Sequence, residues 1–144
     1  MPLIQVTATK NTLNEENKNQ LMKRISNAVL KAERAPVEDA GAQSLVWAYF
    51  HELPVNDVYV GGENLEKAPI RIAITTPEGA LNTSTRKELI EEVAAIVDEF
   101  YQTFDDRLNH WVMLHDQTEG NWAGGGQVFP LAAIQAAMNI QPTK

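Results

Sequence analysis

Apolar positions along the chain follow two periods in turn, and each change of period marks an element. Pro2-Leu3-Ile4-Gln5-Val6-Thr7 opens with a short apolar run that reads as a buried strand. Asn14 then stands where a helix N-cap belongs, with Glu15 and Glu16 in the first turn, where they complement the helix dipole. Leu21, Met22, Ile25, Ala28 and Val29 recur at helical spacing on one face. The segment from Glu33 to Asp39, which holds Ala35-Pro36, ends that helix. Ser44 to Glu52 is dense in aromatic and β-branched residues and predicts a second strand. Leu53 to Asp57 is turn chemistry, and Val58-Tyr59-Val60-Gly61-Gly62 predicts one arm of a short hairpin.

The same order then repeats. Ile70 to Thr75 predicts a strand and Pro77 to Ala80 a turn. Asn82 caps a helix with the apolar face Leu89, Ile90, Val93, Ile96, Val97 and Phe100. His110 to Asp116 is a fourth strand, and Asn121-Trp122-Ala123-Gly124-Gly125-Gly126 a second glycine-rich arm. Leu13-Asn14 answers to Leu81-Asn82, Leu21-Met22 to Leu89-Ile90, and Val29 to Val97. In the following strands, Trp47 to Glu52 answers to Trp111 to Asp116, so that Trp, His and an acid align together.

The chain therefore reads as one α+β domain over 1–144, built from a βαβ unit at 2–62, another at 70–127, and a C-terminal extension at 128–144. Each unit implies a parallel strand pair with a right-handed crossover. The two helices are expected on one face of a four-stranded sheet. The other face, rich in large apolar side chains, is expected to be covered by another subunit. Phe129 through Met138 predicts a short terminal helix placed to clasp a neighbour.

Composition narrows the chemistry. A net charge of −7 argues against a general nucleic-acid binder and against docking on anionic membranes. No cysteine is present, which excludes disulfides, thiol catalysis and zinc-thiolate sites. No apolar stretch reaches the roughly 18 residues of a membrane span, and the N-terminus lacks the layout of a secretory signal; the expected location is the cytoplasm. His110 and His115 face opposite ways on a strand, and Gly124-Gly125-Gly126 lacks the lysine and helix of a phosphate loop, so neither metal nor cofactor is expected. Pro2 remains. With Met1 removed, it becomes a secondary amine at a buried strand end. Such an amine titrates near pKa ~8 in water, and burial lowers that value into the range of a general base.

Pro2-Leu3-Ile4-Gln5-Val6, Phe50-His51-Glu52-Leu53-Pro54 leading to Val58-Tyr59-Val60-Gly61-Gly62, and Trp111-Val112 leading to Gly126-Gln127-Val128-Phe129-Pro130 together resemble the tautomerase superfamily, whose members use an amino-terminal proline. The two-unit length is similar to its cis-3-chloroacrylic acid dehalogenase group, over about residues 2–131. The resemblance implies a mixed sheet of the tautomerase/MIF-like fold, with antiparallel unit-opening strands. It further implies a homotrimer with each site at a Pro2 and partly walled by a neighbouring chain. The group's two arginines fall on Glu78 and Leu81, its histidine on Val29, its tyrosine on Met113 and its glutamate on about Gly124, which argues against hydrolytic dehalogenation. Asp39 and Trp122 fall near positions of a related malonate semialdehyde decarboxylase, and Gly120-Asn121-Trp122 is similar to an arm of phenylpyruvate-type tautomerases.

The expected activity is keto–enol tautomerisation of a small 2-oxo acid, with Pro2 as base and acid. Thr76 is expected as an oxyanion donor, Trp111, Met113 and His115 on one strand face as pocket residues, and Trp122 as an aromatic wall. Two alternatives stay open: a cofactor-independent decarboxylase or hydratase of a three-carbon acid, and a catalytically weak structural homotrimer. His51 and His115 also fit hydrogen-bonded histidines at a subunit contact, the tryptophans fit packing, Asp39 fits a solvated loop charge, and Arg71 an intersubunit salt bridge. Methionine is usually removed before so small a residue as proline, so the mature protein is expected to begin at Pro2.

Overall fold

The computed structural model of the protein describes residues 1–103 and 106–141. Strand β1 (Leu3–Thr9) alternates buried Ile4, Val6 and Ala8 with partly exposed Leu3, Gln5 and Thr7, as a strand covered on one face must. Helix α1 (Glu15–Ala32) starts where the Asn14 side chain accepts the Asn17 N–H at 2.7 Å. Helix α3 (Thr83–Phe100) starts in a capping box, with Asn82 and Thr85 each accepting the other's backbone N–H. The two helices pack on each other, and Arg24 grips Glu99 with both terminal guanidinium nitrogens across the outer side of the contact.

One four-stranded sheet runs in the order β2-β1-β5-β6, with β2 (Trp47–Leu53), β5 (Ile70–Pro77) and β6 (His110–Gln117). β1 pairs parallel with β2 and β5 parallel with β6, while β1 and β5 are antiparallel, with Leu3 across from Thr75 and Thr7 across from Arg71. The sheet is mixed, and both long helices lie on one face. Ile4, Val6, Ile70, Ile72 and Ile74 meet Leu21, Ile25, Val29, Leu89, Val93 and Val97 in a single core. The fold is thus the expected α+β pair of βαβ units. Each ends in a small hairpin, β3 (Tyr59–Val60) with β4 (Glu63–Asn64), and β7 (Ala123–Gly124) with β8 (Gln127–Val128).

Two elements depart from the sequence pattern. Ser44 and Leu45, expected in the second strand, belong to a short helix α2 (Ala40–Leu45), because the Asp39 carboxylate accepts the Ala42 N–H at 2.8 Å and caps a turn there. Asp39 is therefore not merely a solvated loop charge. Helix α4 (Leu131–Ala137), expected to clasp a neighbour, has a packing partner within its own chain. It folds back on its own chain, where Ile134 and Met138 join Leu30, Ala35 and Ala42 in a second cluster. Residues 142–144 of the expected extension lie outside the described residues.

No helix among the described residues lies on the other sheet face. Trp47, Tyr49 and Trp111 stand there 60%, 51% and 67% exposed, with His51, Arg71, Met113 and His115 beside them. No helix among the described residues is long and apolar enough to cross a membrane. The helix-side core carries the fold: replacing fully buried Ile72 by alanine is expected to cost about 2–5 kcal/mol, read as a lower urea midpoint with an unchanged slope. A loss under about 1 kcal/mol would contradict this account of the core.

Candidate active site

Pro2 is buried at the head of β1, where its carbonyl accepts the Trp47 N–H at 3.1 Å. β1 is held on both sides, so its first residues cannot splay. They open into a cleft of about 1000 Å³. Met1, Pro2 and Leu3 form its floor, Leu45 and Trp47 one side, and Thr75 of β5 another. The second arm supplies Asn121, Trp122, Gly124 and Gln127, with Phe129 just beyond it, and Gln117 stands at the end of β6. Ala133, Ile134 and Ala137 of α4 close the remaining side.

Carboxylates pin this last wall. α4 has only seven residues and no cap of its own, too short to persist alone. Glu119 accepts the Leu131 N–H at 3.1 Å, and Glu78 in turn accepts the Glu119 N–H at 3.0 Å. At the other end, Asn139 donates to Asp39 at 3.0 Å. A side chain on Gly41 would press the Ala137 carbonyl at 3.2 Å, so glycine lets α2 and α4 come together. Thus Glu78 and Leu81, the positions where the resemblance places arginines, serve otherwise: Glu78 holds the loop that caps α4, and Leu81 is core. A Cβ at Gly124 would meet the Phe129 ring at 3.2 Å; an aromatic ring lies where a larger side chain would need room.

The cleft gathers only some of the residues expected from sequence. Pro2 and Trp122 line it. Thr76 does not: strand alternation turns its side chain into the helix-side core, 1% exposed, and Thr75 faces the cleft instead. Trp111, Met113 and His115 share the open sheet face, as their spacing requires, but do not line the cleft. His115 comes nearest, on the strand neighbouring Thr75 and in register with it. Among the described residues no side chain lining the cleft is charged. Its polar side chains are Thr75, Gln117, Asn121 and Gln127. No group of three His, Cys, Asp or Glu side chains gathers to hold a metal among the described residues.

Sequence reasoning missed one group altogether. Glu33 follows Ala32 at the end of α1 and is only 3% exposed, with neither carboxylate oxygen hydrogen-bonded among the described residues. Burial pushes its carboxyl up to about 7, against the opposing charge of the N-terminus. The same burial lowers the N-terminal amine, which Glu33 partly offsets, and the amine lies 2.9 Å from the Met138 sulfur. A signal was present: Leu21, Ile25 and Val29 are spaced by four, and the next rung of that stripe is Glu33.

The Tautomerase_3 family model, described as "Putative oxalocrotonate tautomerase enzyme", matches residues 1–137. No curated protein sequence matches significantly. Among solved structures, Pt0534 inactivated by 2-oxo-3-pentynoate is 24% identical, with a TM-score of 0.68 over 86% of this chain and 92% of that one. A fused 4-OT, an asymmetric trimer, is 21% identical, with a TM-score of 0.70 over 88% and 94%. N1, of the cis-3-chloroacrylic acid dehalogenase family, is 15% identical, with a TM-score of 0.65 over 89% and 83%. At these identities the structural likeness shows the fold.

Glu33 makes stability depend on pH. Its folded pKa stands above the unfolded value of 4.5, so the folded state holds more protons and stability falls as pH rises from about 4.5 to 7. Glu33→Gln removes that loss. Its melting temperature relative to the parent is expected to climb between about pH 4 and pH 8, by the equivalent of about 3 kcal/mol at most. A difference that stays flat with pH would refute the assignment.

Proposed function

Because this chain belongs to the Tautomerase_3 family, we propose that it is a keto–enol tautomerase whose base and acid is the amine of Pro2, freed by removal of Met1. The observation that carries this reading is Pro2 itself, buried at the head of a doubly paired strand and opening into a cleft of about 1000 Å³. With Met1 in place the Pro2 nitrogen is an amide and has no basic lone pair; without Met1 it is a secondary amine at the same point. In ketonisation the amine takes the enol O–H proton and the electron pair collapses to the carbonyl. The proton returns from nitrogen to carbon. A positioned general base of this kind is worth roughly 10²–10⁴-fold.

The proposed substrate is a small 2-oxo acid with an apolar or aromatic substituent. Trp47, Trp122 and Phe129 offer flat apolar walls. The side-chain amides of Gln117, Asn121 and Gln127 offer N–H donors for carbonyl and carboxylate oxygens, and Thr75 a hydroxyl for the developing enolate. That Pt0534 is inactivated by 2-oxo-3-pentynoate, itself a 2-oxo compound, supports the substrate class. Trp111, Met113 and His115 enter as residues that a second subunit presents. The proposed assembly is a cytoplasmic homotrimer, supported by the exposed aromatic sheet face and by fused 4-OT relatives that are trimers. The uncharged lining also favours a second reading, a weakly active trimer of the same fold.

The test is phenylenolpyruvate ketonisation by protein beginning at Pro2. Pro2→Ala and retention of Met1 are each expected to lower kcat/KM by ~10²-fold or more; a parent rate no better than buffer would sink the reading. Proton NMR with malonate semialdehyde or propiolate detects decarboxylation or hydration instead. Sedimentation is expected to give a trimer, and Trp111→Asp a smaller species. A parent that sediments as a monomer overturns the assembly.

A further inference from the structure

Among the described residues, Glu33 is the one buried acid that the proposed mechanism leaves unused. Its placement is costly in three ways. The side chain is 3% exposed, both oxygens lack a hydrogen-bond partner among the described residues, and the residue caps the C-terminal end of α1, where the helix dipole disfavours negative charge. An apolar residue on this rung of the stripe would avoid all three costs. A position so unfavourable for an acid calls for a positive charge to face it.

That charge is the N-terminus. Leu30 and Ala35, on either side of Glu33 in sequence, pack in the second cluster with Ala42 of α2, Ile134 of α4, Met138 and Met1. Charged groups of the surrounding elements are otherwise engaged or turned outward. α2 and α4 contain no charged side chain. Asp39 is bonded to the Ala42 N–H and to Asn139. Lys31 reaches Glu92 on α3, and Arg34 is exposed. The N-terminal amine is the charge that acts on Glu33. Removing Met1 shifts that amine by one peptide unit, under about 4 Å.

Resting on the reading of Pro2 as the working base, we propose that Glu33 is its positioning residue: a buried counter-charge, behind the reacting face, that sets the protonation of the terminal amine. The pair is neutral overall whether the proton rests on nitrogen or on carboxylate. When the amine takes the substrate proton, the N–H bond forms as the substrate O–H bond breaks, and the ammonium faces an anion already in place. Glu33 touches no substrate atom. Its part is to hold the charged form of an amine that burial would otherwise keep neutral, behind a cleft that no charged side chain lines among the described residues.

The experiment follows the Pro2 nitrogen directly, by NMR titration of full-length protein beginning at Pro2 and labelled with ¹⁵N-proline. The parent is expected to titrate in two coupled steps. Glu33→Gln is expected to titrate in one step, with the amine pKa lower by about 1–3 units. Glu33→Met, close in volume and suited to apolar surroundings, gives the same readout should the glutamine variant fail to fold; Glu33→Asp is expected to restore coupling in part. The acid limb of the ketonisation pH profile is expected to move down with the amine. An amine titration identical in the parent and in the folded variants overturns the proposal. If the parent ketonises nothing, the tautomerase reading fails, and the titration still decides whether Glu33 governs the amine.

Discussion

The burial of the chain's first residues is the constraint on which the rest depends. β1 lies inside the sheet, parallel to β2 on one side and antiparallel to β5 on the other. It is the join between the two βαβ units as well as the floor of the cleft. An interior strand paired on both edges cannot fray at its start, as most chain ends do. A proline suits that place because it has no N–H to leave unpaired. The same interactions that fuse the units into one sheet therefore hold the terminal amine at a fixed point in a partly dry pocket.

The cleft is completed by acids used for structure. Glu78 and Glu119 form a relay that ends on the first N–H of α4, and Asp39 both starts α2 and holds Asn139 beyond the other end of α4. A seven-residue helix with no cap of its own is kept in place by these contacts and by burial of Ile134 and Met138. The resemblance read from the sequence places arginines at Glu78 and Leu81. Here those positions serve the wall and the core. Among the described residues, the polar side chains lining the cleft are then three amides and one hydroxyl, set among aromatic faces.

Within such a pocket the state of one proton matters more than usual. Both the amine and Glu33 are desolvated, and each shifts towards its neutral form for that reason. Each also opposes the other's shift, because opposite charges favour one another. A fold that loses stability by burying at a helix end an acid with no hydrogen-bond partner among the described residues, yet keeps it beside the chain's terminal amine, has the form expected of a functional compromise.

What the sequence determined by itself was the architecture. Alternation in Leu3 to Thr9 and Ile70 to Pro77, four-residue spacing from Leu21 to Val29 and from Leu89 to Val97, and asparagine caps at both helix starts are local signals, set by period and backbone chemistry. They specify which residues face the core before any long-range contact forms. Only the tertiary structure decided the site. That Thr75 rather than Thr76 lines the cleft depends on which face of β5 the helices cover, because strand alternation then turns Thr76 into the core and Thr75 to the open side. That α4 walls its own chain's cleft depends on Glu119 and Asp39, distant in sequence from the ends they hold. Glu33 looked like an ordinary polar helix end, because a carboxylate's burial is a property of what packs around it and not of its neighbours along the chain.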